Sequence, residues 1–139
     1  MIAIIAEKPS VGQEIARVVG ATEKKDGYMV TWALGHLVSL ALPGTYGYTR
    51  TTAEDLPMLP EPFRLVERQI RTDRGMVTDI AAGKQLKIID EVFSKCDSII
   101  VATDAGREGE LIFRWIYSHL GCTKPFKRLW ISSLTDEAI

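Results

Sequence analysis

The sequence predicts an α/β fold in which a compact, mainly parallel β-sheet is flanked by helices, in a Rossmann-like three-layer arrangement. Two short apolar runs, residues 2–6 (IAIIA) and 98–103 (SIIVAT), have the unbroken hydrophobic pattern of strands buried on both faces. Each run is followed by a turn and a helical pattern, and such alternation is typical of parallel sheets with right-handed crossovers. Ligands of these sheets bind beyond the carboxyl ends of the strands, so polar residues at those ends are the first candidates for function.

The first part of the chain has the pattern of a strand, a tight turn and a helix. A lysine-proline turn ends the first strand, and Ser10 with Gln13 has the spacing of a capping box at a helix start. This helix is predicted to end near Gly20. A second strand is predicted at residues 28–34 (YMVTWAL).

The rest of the chain combines one irregular stretch with further strands and helices. Residues 41–63 hold four of the six prolines and are predicted to be a long irregular excursion. Loops of this length inside compact domains are often functional or contact another part of the protein. The remaining predicted elements are strands at 64–70 and 126–131, helices at about 73–95 and at 107–120, and a helix start at Thr135.

The chain length and its last residues lead to an expectation about domain organisation. A chain of 139 residues has the size of one domain and can bury a sizeable core. The helix start predicted at Thr135, supported by Asp136 and Glu137, lies close to the last residue. We therefore expect residues 1–139 to form a single domain, excised from a longer chain whose later domains are missing.

The composition is that of an ordinary soluble globular protein, with 46% hydrophobic and 25% charged residues. Because the formal net charge is -1, binding of a polyanion would need a local basic patch or a metal. Cys96 and Cys122 lack metal-binding spacing, so reduced thiols in a cytoplasmic protein are expected. No apolar run has the length of a membrane span, and no membrane partner is expected.

Acidic residues follow both of the predicted central strands. Glu7 comes directly after the first strand and Asp104 after the later one, so neighbouring strands would bring their carboxylates together. Glu108 lies near the start of the next helix and can point back to the same edge, whereas Glu110 projects to another side. Carboxylates this close favour a cation, and Mg²⁺ suits one or two of them. The alternative is that these acids only cap a helix and face solvent.

Basic and aromatic residues near the same edge are weaker candidates. Lys8, in the turn that leads into a helix, could meet a phosphate together with backbone N–H groups, or be a solvated turn lysine. His36 follows a strand and is either structural or part of the site. Neither GxxxxGK[ST] nor GxGxxG occurs where a nucleotide loop would need it, so no nucleotide cofactor is expected. Other candidates for phosphate contacts are Arg107, Lys124, Lys127 and Arg128.

Four sequence blocks, in order, closely resemble the opening region of type IA DNA topoisomerases of the bacterial topoisomerase III branch. They are IAEKPSVGQEIA, TWALGHLVSLA, ATDAGREGELIFRW and KRLWISSLTDEAI, and the resemblance is weakest in residues 44–95. It implies a Toprim domain, the fold shared by topoisomerases and bacterial primases. The family hallmark is a glutamate after the first strand and a DxDxE pattern after a later strand.

The resemblance implies which residues hold the metal. Glu7 matches the first-strand glutamate, while Asp104 and Glu108 match the first and last acids of DxDxE. Gly106 stands at the second aspartate position, so one carboxylate is absent. A single Mg²⁺ at Glu7 and Asp104, with Glu108 nearby, is therefore favoured over two metals.

The resemblance also implies a mechanism. A type IA enzyme cuts one DNA strand by attack of a tyrosine hydroxyl, which forms a 5′-phosphotyrosine link, passes another strand and reseals without ATP. Glu7 would move a proton at the leaving 3′-oxygen, and Lys8 would stabilise the charged phosphate. His36 and Arg107 would contact DNA, mainly its single-stranded segments.

The tyrosine nucleophile is expected in a later domain of the same polypeptide, so this fragment alone is predicted to be inactive. The alternative is a Toprim-type metal-dependent nuclease or primase-like module, complete at this length. A nuclease would need a more fully acidic site, and Gly106 argues against one.

Overall fold

The computed structural model describes residues 1–21, 27–48 and 50–139. Its main sheet has four parallel strands, β1 (Ile2–Ala6), β2 (Tyr28–Trp32), β7 (Ser98–Ala102) and β8 (Phe126–Arg128). They lie in the order β2-β1-β7-β8, which confirms the predicted α/β class. The helices are α1 (Pro9–Val18), α2 (Ile80–Lys95) and α3 (Arg107–His119). Two small antiparallel pairs of strands lie outside the main sheet. They are β3 (Val38–Leu40) with β4 (Leu65–Glu67), and β5 (Gln69–Thr72) with β6 (Gly75–Thr78).

Both faces of the sheet are covered. Ala3 and Ile5 of β1 belong to the larger core cluster, which includes residues of α2 and α3. Ile4 and Ala6 point to the other face and pack with Ile15 of α1. An unbroken apolar strand is thus explained, because each of its side chains meets a helix on one face or the other. The predicted three-layer arrangement is confirmed.

The strand order reverses between β1 and β7. From β1 the chain passes through α1 to β2 on one side, whereas from β7 it passes through α3 to β8 on the other. Parallel α/β sheets form a crevice at such a reversal, outside the carboxyl ends of the two strands. This crevice is where the two apolar runs end.

The helix predicted at about 73–95 is correct only in its second part. Residues 69–78 form the β5–β6 hairpin instead, and α2 begins at Ile80. Gly75 has a φ of 106°, which favours glycine and suits the hairpin turn. The Asp79 side chain accepts a hydrogen bond from Ala81 N and so caps the helix at its true start.

Other predicted boundaries also need correction, since the second strand ends at Trp32 and the strand predicted at 64–70 is divided between β4 and β5. The capping box at Ser10 is wrong, because α1 already begins at Pro9 with Lys8 as its N-cap residue. Proline suits the first position of a helix, where its missing N–H has no partner to lose. The last strand covers 126–128 rather than 126–131. Thr135 begins a turn in which its carbonyl accepts from the amides of Ala138 and Ile139.

Residues 41–63 are irregular, as predicted, with 3-10 turns at Pro43–Tyr46 and Ala53–Asp55. Residue 49 of this stretch lies outside the described residues. The β3–β4 pair joins the two ends of the excursion. In the part of the chain that the structure describes, every helix is too short or too polar to cross a membrane.

Candidate metal and nucleic-acid site

Glu7 and Asp104 meet at the carboxyl ends of β1 and β7, as the sequence predicted. The strands pair in register with Ala6 opposite Ala102, so the residues that follow emerge side by side. The backbone N–H of Asp104 donates a hydrogen bond to Glu7 Oε2 at 3.2 Å. Asp104 is exposed and Glu7 is half-buried, so both lie in the crevice where the strand order reverses.

The turn that carries Asp104 is held tightly against α3. Thr103 is buried, and its hydroxyl donates to the carbonyl of Gly109 at 2.8 Å. A Cβ on Gly109 would lie 2.0 Å from the carbonyl oxygen of Asp104, so only glycine allows this approach. Gly106, the N-cap residue of α3, differs, because a Cβ there would meet no described atom within 4 Å.

Arg128 of β8 supports the same turn from the other side. Its Nη1 donates to the carbonyl of Thr103 at 2.7 Å, and its Nε donates to Glu110 Oε2 at 2.7 Å. Glu110 also accepts from Arg114, and hydrogen bonds from Arg114 and then Arg128 lower the pKa of Glu110. The carboxylate of Glu110 is therefore engaged by two arginines. Sequence reasoning missed its role, because 18 residues separate it from Arg128.

His36 and Glu108 form a second pair at this edge. His36 Nε2 lies 3.0 Å from Glu108 Oε2, although 72 residues separate them in the chain. The imidazole also packs near the indole of Trp115, with 5.8 Å between the ring centroids. The side chains of His36 and Glu108 are 38% and 74% exposed, so both remain accessible to a ligand. The structure thus places His36 in the region of the candidate site.

The predicted basic residues divide into two groups. Lys8, at the N-terminus of α1, and Arg107, at the start of α3, are exposed. Lys124 instead donates to the carbonyls of Ser94 and Cys96, and Arg128 is bound to Glu110 and Thr103. The side chains of this second group are therefore occupied within the fold and support its structure.

The donor set fits a magnesium ion that keeps most of its waters. Among the described residues, no group of three histidine, cysteine or acidic side chains is close enough to enclose a metal. Mg²⁺ is usually held by only one or two carboxylates together with substrate phosphate and water. Glu7 and Asp104 supply two carboxylates that follow neighbouring strands at the same edge of the sheet, and this number fits the smaller requirement.

The tyrosines lie at other places in the fold than Glu7 and Asp104, and two of them form hydrogen bonds with backbone groups. Tyr28 begins β2 and pairs with Ile2, at the amino end of the strands. The hydroxyl of Tyr117 donates to the carbonyl of Lys124, and that of Tyr46 accepts from the amide of Arg64. Tyr48 lines a groove of the irregular excursion.

Comparison with known proteins agrees with this architecture. The Toprim domain family matches residues 2–134. Similar proteins include DNA topoisomerase 3 of Bacillus licheniformis (47% identical), of Bacillus subtilis (46%) and of Bacillus cereus (49%). Each alignment covers 98% of this chain, but only 19% of the first two relatives and 18% of the third. The chain thus spans about a fifth of the length of these curated relatives. With the family matched over nearly all of its residues, the chain belongs to the Toprim domain family.

Proposed function

We propose that the chain is the Toprim domain of a type IA DNA topoisomerase, an isomerase that breaks one DNA strand, passes another strand and reseals the break. The observation that carries the proposal is the meeting of Glu7 and Asp104 at the strand-order reversal, with Lys8 next to Glu7. The similarity to DNA topoisomerase 3 of three Bacillus species supports it. The domain would act with the rest of a longer polypeptide.

Glu7 and Lys8 are the proposed catalytic residues. In the cleavage step a tyrosine oxygen bonds to phosphorus, the bond from phosphorus to the 3′-oxygen breaks, and a proton reaches that oxygen. Glu7, fixed by the amide of Asp104, would carry this proton. Lys8 is exposed at the N-terminus of α1, where a cation and free backbone N–H groups together attract a phosphate. The Lys8 ammonium would stabilise the charge that develops on the phosphate oxygens.

Mg²⁺ is the proposed cofactor, with Asp104 and Glu7 as its protein ligands and Glu108 close to the same edge. When bound, the ion would orient the phosphodiester and offset its negative charge. His36 contacts Glu108 through Oε2, and in the described part of the chain no hydrogen bond engages Glu108 Oε1. With Gly106 at the position of a further acid, two carboxylate ligands favour a single ion over a pair.

DNA is the proposed substrate, and its single-stranded segments are the proposed binding form. Arg107 and Trp130 line one groove beside the start of α3. Trp130 is 74% exposed, and an exposed aromatic residue near a cation is suited to stacking an unpaired base. His36 would contact the DNA backbone from the β2 side of the crevice.

The nucleophilic tyrosine is proposed to lie in the part of the polypeptide that corresponds to the remaining four-fifths of the relatives. The described tyrosines support this, because the hydroxyls of Tyr46 and Tyr117 are bound to backbone groups and Tyr28 lies at the amino end of β2. The fragment would therefore bind metal and DNA without relaxing supercoils.

A chimera tests the proposal. The 139-residue chain is grafted in place of the matching segment of Bacillus licheniformis DNA topoisomerase 3, and relaxation of negatively supercoiled DNA is followed with and without Mg²⁺. We expect the chimera to relax DNA in the presence of Mg²⁺ and the chain alone to be inactive. Lys8→Ala in the chimera should slow relaxation by roughly 10²-fold, as when one group that stabilises a transition-state charge is removed. Lys84→Ala, an exposed lysine on α2, is the matched control.

The same assay distinguishes other functions. Robust Mg²⁺-dependent relaxation by the 139-residue chain would show that its nucleophile is not missing. Divalent-dependent cutting of single-stranded DNA by the chain, without a covalent protein–DNA product, would favour a nuclease instead. A chimera that folds and binds DNA but stays inactive with Glu7 and Lys8 intact would contradict the proposed roles.

A further inference from the structure

The segment that carries His36 is built to hold one conformation. Residues 33–37 connect β2 with β3, and Ala33 and Leu37 at its two ends are fully buried. Gly35, directly before the histidine, has a φ of 67°, in the left-handed region that favours glycine. The position of His36 therefore depends on a backbone turn that must be stabilised by its surroundings.

Arg68 supplies that support from the β4–β5 connection. Its Nη1 donates to the carbonyl of Leu34 at 2.8 Å and to that of His36 at 3.3 Å. Its backbone N–H donates to the carbonyl of Leu37 at 2.8 Å. A single residue thus binds three carbonyls within four consecutive positions, which satisfies backbone groups that an irregular turn would otherwise leave without partners.

Asp79 in turn holds the guanidinium in place. Arg68 Nε and Nη2 contact the same Asp79 oxygen, Oδ2, at 2.8 Å and 2.6 Å. The other oxygen, Oδ1, accepts from Ala81 N and caps α2. The side chain of Asp79 is only 15% exposed and that of Arg68 is 31% exposed, so water competes weakly for this pair. The turn is thereby tied to the end of a long helix.

A second contact from α2 reaches the same segment. Gln85 is buried, and its Nε2 donates to the carbonyl of Trp32 at 2.7 Å, where β2 ends. The helix that Asp79 caps therefore anchors the beginning of the segment directly and its middle through Arg68. At the far side, His36 meets Glu108 of α3.

We propose that Arg68, held by Asp79, is a positioning residue that keeps His36 against Glu108 at the edge of the sheet where Glu7 and Asp104 meet. The inference deepens the proposed function, on which it rests for the role of His36 toward the DNA backbone. Arg68 itself touches backbone carbonyls, so its effect on the site passes through the imidazole of His36.

NMR spectroscopy of the histidine rings tests the inference. The chain has two histidines, and His119 at the end of α3 is an internal reference. The ring current of Trp115 makes the His36 proton shifts sensitive to its position. We expect Arg68→Ala to move the His36 ring signals while those of His119 stay in place. Arg17→Ala, which breaks an exposed ion pair of α1, is the matched control and should move neither.

Two further variants keep the inference falsifiable if Arg68→Ala fails to fold. Asp79→Asn retains a good helix cap but loses the charge that holds Arg68, and it should move the His36 signals in the same direction. With Arg68→Lys the His36 signals should lie between those of the wild type and those of Arg68→Ala. An ammonium keeps the charge but lacks the planar fork that reaches the carboxylate and the carbonyls together. Folded Asp79→Asn or Arg68→Ala protein with wild-type His36 signals would overturn the inference.

The same variants in the chimera separate this inference from the proposed function. If His36 acts on DNA, Arg68→Ala should add little to the loss caused by His36→Ala, because both changes remove the same contact. Fully additive losses would contradict positioning through His36. The ring signals need neither DNA nor metal, so an inactive chimera whose His36 signals still depend on Arg68 would refute the proposed function and leave the positioning role standing.

Discussion

The backbone amide of Asp104 binds the carboxylate of Glu7 across 97 positions of sequence, at 3.2 Å. The two residues follow neighbouring parallel strands, and the contact directs one Glu7 oxygen toward the Asp104 turn. One oxygen of Glu7 is thereby engaged, while the carboxylate of Asp104 remains exposed. Asp104 is therefore the better placed of the two to take up a cation from solvent.

Asp104→Asn should weaken Mg²⁺ binding because the amide keeps the shape of the side chain and removes its charge. We expect a loss of roughly tenfold in affinity, equivalent to about 1.4 kcal/mol. Isothermal titration calorimetry of the 139-residue chain measures it. Asp90→Asn, which changes an exposed aspartate on α2, is the control and should retain wild-type affinity. Equal affinities for Asp104→Asn and the wild type would remove Asp104 from the metal site.

Gly106→Asp should add the carboxylate that the DxDxE pattern has at this position. A side chain fits there, because a Cβ would meet no described atom within 4 Å and the φ of -98° is open to any residue. We expect tighter Mg²⁺ binding by calorimetry, since a further acid would be added at the edge where Glu7 and Asp104 lie. Aspartate is also a better N-cap than glycine by a few tenths of a kcal/mol, so the melting temperature should not fall. Gly106→Asn, with the cap but without the charge, is the control. If both variants bind Mg²⁺ equally, position 106 does not face the ion.

Gly109→Ala should damage the site through the backbone, in contrast to Gly106→Ala. At position 109 the added methyl would lie 2.0 Å from the carbonyl oxygen of Asp104, so the turn or the helix has to move. We expect a loss of about 1–3 kcal/mol in the free energy of unfolding, as for other overpacked sites, and weaker Mg²⁺ binding. Denaturant unfolding measures the first effect. Gly106→Ala should cost clearly less, and equal costs would mean that the close approach at Gly109 is unimportant.

The central part of the fold follows from local sequence patterns. Unbroken apolar runs predict β1 and β7 because each side chain of these strands meets a helix on one face or the other. Acids placed directly after such runs must emerge at one edge of the sheet. The meeting of Glu7 and Asp104 is therefore predictable from the positions of the two strands in the sequence.

The remainder depends on contacts that no local period reveals. The helix predicted from the apolar residues of α2 extends too far toward the N-terminus, over the turn at Gly75 and the strand β6 of the hairpin. Arg68 lies in the connection between β4 and β5, and Asp79, 11 residues later, caps α2. Their pairing depends on where the hairpin places the helix start, as the Glu110–Arg128 pair depends on the packing of β8. Residues that support a site from behind are therefore harder to predict than residues at strand ends.

Asp79 should make the stability of the domain depend on pH in the acid range. Its hydrogen bond with Arg68, supported by the amide of Ala81, lowers the pKa of the Asp79 carboxyl. In the unfolded state the carboxyl has its ordinary pKa of about 3.9, so as the pH falls it takes up its proton there before it does in the folded state. The contribution of the Asp79 carboxylate to the free energy of unfolding is therefore fully present at neutral pH and is lost as the pH falls through the folded-state pKa. Denaturant unfolding from pH 7 to pH 3 should show the difference between wild type and Asp79→Asn shrinking as the pH falls. In an Arg68→Met background that difference should be smaller at pH 7 and less dependent on pH. If it is the same in both backgrounds, the carboxylate is stabilised by something other than the guanidinium of Arg68.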